Sequence, residues 1–113
     1  MPFIDVSMNV DLSNEKKESI KTQCGKAISL IPGKSESYLM VKVQDNCSMW
    51  FKGAGEPCAM CSVSVFGNAS SQSCEALTKE LCEILAREAD IDPSRTYVKF
   101  QFIDTWGYNG FLF

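Results

Sequence analysis

The residues with the clearest chemical potential stand at the start of the chain, where Met1-Pro2-Phe3 runs into an extended-looking Ile4-Asp5-Val6. An initiator methionine is commonly removed when the next residue is small, and proline qualifies. Removal leaves Pro2 with a free secondary amine. An α-amino group titrates near ~8, and apolar burial pushes it lower. Such an amine is neutral near pH 7 and serves as a general base or as a nucleophile towards carbonyls. If methionine is kept, Pro2 is an amide and can do neither, and a proline there is simply tolerated at the start of an edge strand.

The second chemical candidate is Cys58-Ala59-Met60-Cys61. Redox CxxC pairs sit at helix N-termini, where the dipole stabilises thiolate. Here the flanking pattern is that of a strand, so the two side chains point to opposite faces roughly 10 Å apart. A disulfide needs Cα atoms within about 7 Å. A lone CxxC with no histidine is also poor for zinc. The expectation is buried structural thiols, with Cys24, Cys74 and Cys82 on the core stripes of helices.

The 113 residues contain no histidine, which removes histidine acid/base chemistry and the serine–histidine and cysteine–histidine dyads. Catalysis is left to an amine, a carboxylate, a tyrosine or a thiol. Net charge is -3 with no basic cluster, so nucleic acid is not expected as a partner. No apolar run approaches the ~18 residues that span a bilayer, so no membrane segment is expected. There is no basic and apolar leader, so the expected location is the cytoplasm, with the six cysteines reduced.

These candidates need a scaffold to position them. Residues 3–10 read as a strand. Ser13 is a plausible N-cap for a helix whose apolar residues Ile20, Cys24, Ala27, Ile28 and Ile31 follow helical spacing, and Pro32-Gly33 ends it. Residues 38–43 form a second strand, and 48–51 are expected as a short third. A flexible loop over 53–57 leads to a strand over 58–66. The serines at 70, 71 and 73 cap a second helix with the stripe Cys74, Leu77, Leu81, Ile84 and Leu85, stopped by Asp90-Ile91-Asp92-Pro93. Residues 96–102 make a long final strand before a glycine-punctuated aromatic tail. The fold class is therefore α+β in two layers: one domain over residues 1–113, built from two βαβ units that form a four-stranded sheet with both helices on one face. The strands carry large apolar residues on both sides, so the bare face and the aromatic tail are expected to meet other copies.

Along its full length the chain resembles the macrophage migration inhibitory factor family of the tautomerase superfamily. The residues that carry this are Met1-Pro2-Phe3-Ile4, Asn9-Val10, Gly33-Lys34 with Tyr38, then Met49, Phe51 and Gly53 before Glu56-Pro57-Cys58-Ala59. Cys61-Ser62, Gly67, Pro93 with Arg95 and Tyr97, and Gly107-Tyr108-Asn109-Gly110 with Phe113 complete the set. The resemblance implies a homotrimer with active sites between subunits, and keto–enol tautomerisation of phenylpyruvate-like or dopachrome-like substrates without a cofactor or metal. It places the base on Pro2 and the partner of the substrate carboxylate on Lys34. It puts a backbone contact at Phe66, a pocket tyrosine from the adjacent subunit at Tyr97, and an aromatic mouth at Tyr38, Trp106, Tyr108 and Phe113. Lys99 stands where a small polar residue is usual and brings a second cation towards the site. Trp106 replaces a smaller aliphatic, Tyr108 a tryptophan and Phe66 an aliphatic, changes that bear on substrate preference. The resemblance also implies a second class of function: a cytokine-like ligand, exported without a signal peptide, that binds a cell-surface receptor. In a form with vestigial or no tautomerase activity, its determinants are expected at Asp45-Asn46 or around Gly53 to Glu56.

Overall fold

The computed structural model describes all 113 residues. Strand β1 (Pro2–Met8) is followed by helix α1 (Asn14–Ala27) and strand β2 (Met40–Gln44). Strand β3 (Ala59–Phe66), helix α2 (Ser71–Ala89) and strand β4 (Thr96–Ile103) repeat the pattern. A small hairpin of β5 (Gly107–Tyr108) and β6 (Phe111–Leu112) closes the chain. The sheet order is β2-β1-β3-β4. Each βαβ unit pairs its own strands in parallel, and the units join where β1 runs antiparallel to β3. This is the expected two-layer α+β fold.

Local chemistry explains the helix limits. The Ser13 side chain accepts from the Lys16 amide at 3.2 Å, and Ser70 accepts from Ser73 at 3.1 Å, each satisfying one unpaired first-turn donor. Ile20, Cys24, Ala27, Ile28 and Ile31 are all buried, as their spacing requires. The α-helix nevertheless ends at Ala27, and Ile28–Leu30 tighten into a 3-10 turn before Pro32. At the end of α2, Asp90 takes a left-handed conformation (φ 53°) and the Ile91 amide bonds back to the Leu85 carbonyl. Buried Ile91 supplies the apolar contact that accompanies such a stop.

The core lies between the sheet and the helices. Alternation puts Ile4, Val6 and Met8 of β1 and Cys61, Val63 and Val65 of β3 against Leu77, Leu81 and Ile84.

Three expectations need correction. The strand over 48–51 does not form. Phe51 and Ala54 exchange backbone hydrogen bonds of 3.0 and 3.1 Å around Lys52 and Gly53, both at positive φ, so the segment closes on itself. Cys74 and Cys82 are only half-buried, because they flank the α2 stripe instead of lying on it; Cys24 is in the core. The uncovered face of the sheet is not apolar on the whole. Its middle is polar, with Asp5, Lys42, Ser62, Ser64, Lys99 and Gln101, while Phe3, Met40 and Met60 lie towards its margins. No helix is long and apolar enough to cross a membrane.

Candidate active site

The antiparallel pairing of β1 with β3 fixes where the N-terminus lies. Pro2 stands opposite Val65 and is buried, and the Phe66 amide donates to the Met1 carbonyl at 2.9 Å. Proline suits this first strand position, where it forfeits no central ladder bond. The end of β1 that carries the chain's amine is thus tied beside the end of β3.

Lys34 reaches the same place from the loop after α1. Gly33, at φ 82°, turns the chain, and the Lys34 amide bonds to the Ile31 carbonyl at 3.1 Å. Its Nζ then donates to the Phe66 carbonyl at 3.0 Å, across 32 residues of sequence. The Met1 amine is held below its ordinary value near 8.0, first by burial, then by the charge of Lys34 and a hydrogen bond from it. With Met1 present the nitrogen of Pro2 is an amide. Pro2 itself lies one residue deeper in the same surroundings.

Beside this corner is a cavity of about 460 Å³, predominantly apolar, walled by Met1, Pro2, Phe3, Tyr38, Trp106 and Tyr108. That volume suits a small aromatic molecule. One rim is a continuous aromatic run. The Tyr38 and Tyr108 rings meet edge-on at 5.7 Å, Tyr108 stacks on Phe113 at 5.9 Å, and Phe113 tilts against Phe66 at 5.8 Å. The C-terminal hairpin presents two of these rings. Its turn, Asn109-Gly110, has both φ angles positive, as a two-residue turn of this hand requires.

The structure therefore brings Pro2, Tyr38, Trp106 and Tyr108 to one cavity, and gathers Lys34, Phe66 and Phe113 at its side. It does not bring Tyr97 or Lys99 there within one chain. Both lie on β4, on the uncovered face, where Tyr97 is level with Met60 and Lys99 with Ser62, while Pro2 is level with Val65. Along the strands Tyr97 is roughly 17 Å and Lys99 roughly 10 Å from the row of Pro2. The Tyr97 ring packs edge-on against Phe51 at 4.9 Å.

Ser37, Leu39 and Met40 also line the cavity and were not anticipated as site residues. Met40 stands opposite Phe3 across the β1–β2 ladder, which only the register reveals. Asn9 and Arg95 carry a supporting role that sequence reasoning missed. The Asn9 amide nitrogen lies within 3.1–3.2 Å of the carbonyls of Met49, Gly55 and Glu56, and its oxygen accepts from the Cys58 amide at 2.8 Å. Arg95 donates to the carbonyls of Pro57, Ala54 and Glu56 and lies over the Phe51 ring. Together they pin the loop that backs Tyr97. A polar Asn at the end of an apolar strand was the available signal.

The CxxC thiols lie elsewhere. Cys58 and Cys61 are both buried and free, and burial pushes Cys61 well above the ordinary thiol range, opposite to the shift that activates a thiolate.

The family model for macrophage migration inhibitory factor (MIF) matches residues 1–113. Among curated relatives, the macrophage migration inhibitory factor of Meriones unguiculatus is 30% identical over 115 residues, covering 100% of this chain and 99% of that one. The Brugia malayi homolog is 26% identical with the same coverage. The crystal structure of Leishmania major MIF2 superposes with a TM-score of 0.93 at 25% identity, covering 100% of this chain and 97% of that chain. The homologue from Prochlorococcus marinus gives 0.89 at 24% identity with 98% coverage of both, a likeness of fold. With its full length matched, its two βαβ units in place and its N-terminal proline set beside a lysine and an aromatic cavity, the chain belongs to the macrophage migration inhibitory factor family.

Proposed function

We infer that this protein is a keto–enol tautomerase of small aryl α-keto acids such as phenylpyruvate, with dopachrome-like rings as further substrates, working through the amine of Pro2 once Met1 is removed. The observation that carries the reading is the convergence of the N-terminus, in surroundings that lower an amine's pKa, with a lysine and an aromatic-walled cavity.

The substrate ring lies among Tyr38, Trp106 and Tyr108, and its carboxylate pairs with Lys34. The ammonium has three donors; the Phe66 carbonyl and the N-terminal amine take two, which leaves one for a carboxylate. Neutral Pro2 takes a proton from the carbon next to the ketone. The C–H pair becomes the C=C bond, and the carbonyl π pair moves to oxygen as the enolate forms. Lys34 stabilises that charge, and the protonated amine returns its proton to the oxygen. The protein works as a homotrimer, in which Tyr97 and Lys99 complete the site of a neighbouring subunit. It is made in the cytoplasm and exported by a non-classical route.

The test is intact mass, then phenylpyruvate tautomerisation by wild type and Pro2→Gly. Methionine-free protein whose activity falls at least ~100-fold in the variant supports the mechanism. Methionine-free wild type with no activity refutes it. A second reading, a receptor ligand, is favoured by the loop that Asn9 and Arg95 pin, which leaves Trp50 71% exposed. Receptor binding that survives Pro2→Gly and is lost with Trp50→Ala would establish it.

A further inference from the structure

Two nitrogens stand side by side at the edge of the cavity, and the chain supplies neither with an acid. The terminal amine is hydrogen-bonded to Lys34, whose Nζ also donates to the Phe66 carbonyl at 3.0 Å. The chain's ion pairs are Lys16–Glu88, Lys17–Asp45 and Arg87–Glu80, so no carboxylate pairs with either nitrogen. Met1 and Lys34 are both half-buried, and Met1 lines the apolar cavity of about 460 Å³. Burial, and then the charge of Lys34, lowers the pKa of the terminal amine, so more of it is neutral than in an open chain end.

A neutral amine attacks an electrophilic carbonyl carbon. Carbon dioxide is such an electrophile, small and apolar enough to enter a cavity walled by Pro2, Phe3, Tyr38 and Trp106. The nitrogen lone pair forms the N–C bond, one C=O π pair moves to oxygen, and a proton on nitrogen passes to solvent. The product is a carbamate, an anion built on the terminus itself. Its oxygens lie about 2.3 Å from the nitrogen, by the bond lengths of an amide, which keeps them in reach of the ammonium that bonds to that nitrogen. The nitrogen pair is now shared with the carboxyl group, as in an amide, and no longer accepts a hydrogen bond. The Lys34 donor released in this way turns to the carbamate together with the third, while the Phe66 carbonyl keeps the first.

We propose that the terminal amine is a carbon dioxide site, forming a reversible carbamate with Lys34 as its counter-cation. Either chain end serves. The Met1 amine occupies this corner, and removal of methionine leaves the Pro2 amine one residue deeper in it. A carbamate nitrogen has no basic pair, so the modified terminus takes no proton from a substrate. Its carboxylate also occupies the ammonium that a substrate carboxylate needs. Carbon dioxide thus shuts the corner by two routes. The inference goes beyond the tautomerase reading and does not require it, because a carbamate needs only a neutral amine beside a cation.

Carbon NMR of the intact protein in isotopically labelled bicarbonate and carbon dioxide tests it. A trialkyloxonium salt then fixes any carbamate as an ester, and the mass of the N-terminal peptide locates it. The expected result is a carbamate resonance distinct from bicarbonate, with the ester on the terminal residue. Its intensity should fall at least ~fivefold in Lys34→Ala and largely return in Lys34→Arg, with circular dichroism to verify the fold. Lys34→Gln keeps a donor for the Phe66 carbonyl but no charge; it should fall with Lys34→Ala, which keeps the test valid if the alanine variant fails to fold. No resonance in wild type, esters on lysine side chains alone, or a terminal carbamate undiminished in Lys34→Ala and Lys34→Gln would overturn the site. Phenylpyruvate tautomerisation is measured alongside. A terminal carbamate on methionine-free protein without that activity refutes the proposed function and leaves this inference standing, and an active protein with no carbamate does the reverse.

Discussion

Asn9 offers the sharpest test of how the scaffold is held. Its amide nitrogen faces three carbonyls at 3.1, 3.2 and 3.1 Å, which share its two hydrogens, and its oxygen takes the Cys58 amide at 2.8 Å. Replacing it with alanine removes about three bonds, each with a net value near ~1 kcal/mol, and leaves the amide of buried Cys58 without its partner. The expected loss is roughly 2–4 kcal/mol. For a chain of this length that lowers Tm by about 8–16 °C, measured by circular dichroism at fixed protein concentration. Asn9→Asp is nearly isosteric and should be worse at pH 7, because it aims a carboxylate at three carbonyl oxygens. Those neighbours raise the folded-state pKa above the unfolded value. The folded state then binds the extra proton between the two, and stability falls as pH rises through that window. Acidification should therefore bring Asn9→Asp back towards or past Asn9→Ala. An Asn9→Asp protein as stable as wild type at pH 7, or an alanine variant costing under ~1 kcal/mol, would refute the assigned network.

Lys34 should be visible in the pH profile. On methionine-free protein the neutral amine is the active base, so kcat/KM rises with pH through its titration. Burial and the Lys34 charge hold the Met1 amine below its ordinary value, and both act on Pro2 in the same corner. Lys34→Ala should shift this acid limb to higher pH and raise KM for phenylpyruvate about 10- to 100-fold; an unmoved limb would show that the charge does not act on the base. The thiols give an independent check on the fold. A disulfide reagent should titrate half-buried Cys47, Cys74 and Cys82 under native conditions and reach Cys24, Cys58 and Cys61 only on unfolding. Burial pushes Cys24 up to about 12 and Cys61 higher still, so rapid reaction at either would contradict the packing.

The helices were legible because their signals are local. Ser13 and Ser70 act within three residues of themselves, and the spacing from Ile20 to Ile31 states its own buried face. The failure at 48–51 has the opposite character. Met49, Trp50 and Phe51 favour a strand by type, but Lys52-Gly53 turns the chain at once, and Asn9 and Arg95 claim the carbonyls that a partner strand would need. The polar middle of the uncovered face was misjudged for a similar reason. Phe3, Met40 and Met60 alternate with Asp5, Lys42 and Ser62, and only the register sorts which of them share a row.

The site is a consequence of strand order more than of any motif. β1 is central and antiparallel to β3, so the first residues of the chain are set against the last residue of β3 and not against its start. That arrangement alone puts both the N-terminal amine and the Phe66 carbonyl within hydrogen-bonding reach of the Lys34 ammonium, though the three come from distant segments. The same order places Tyr97 and Lys99 at the far edge and further along the strands, where no adjustment within one chain brings them to Pro2. If they act at all in the site, another copy must carry them there. A protein that remained monomeric would leave the cavity with only the wall its own chain provides.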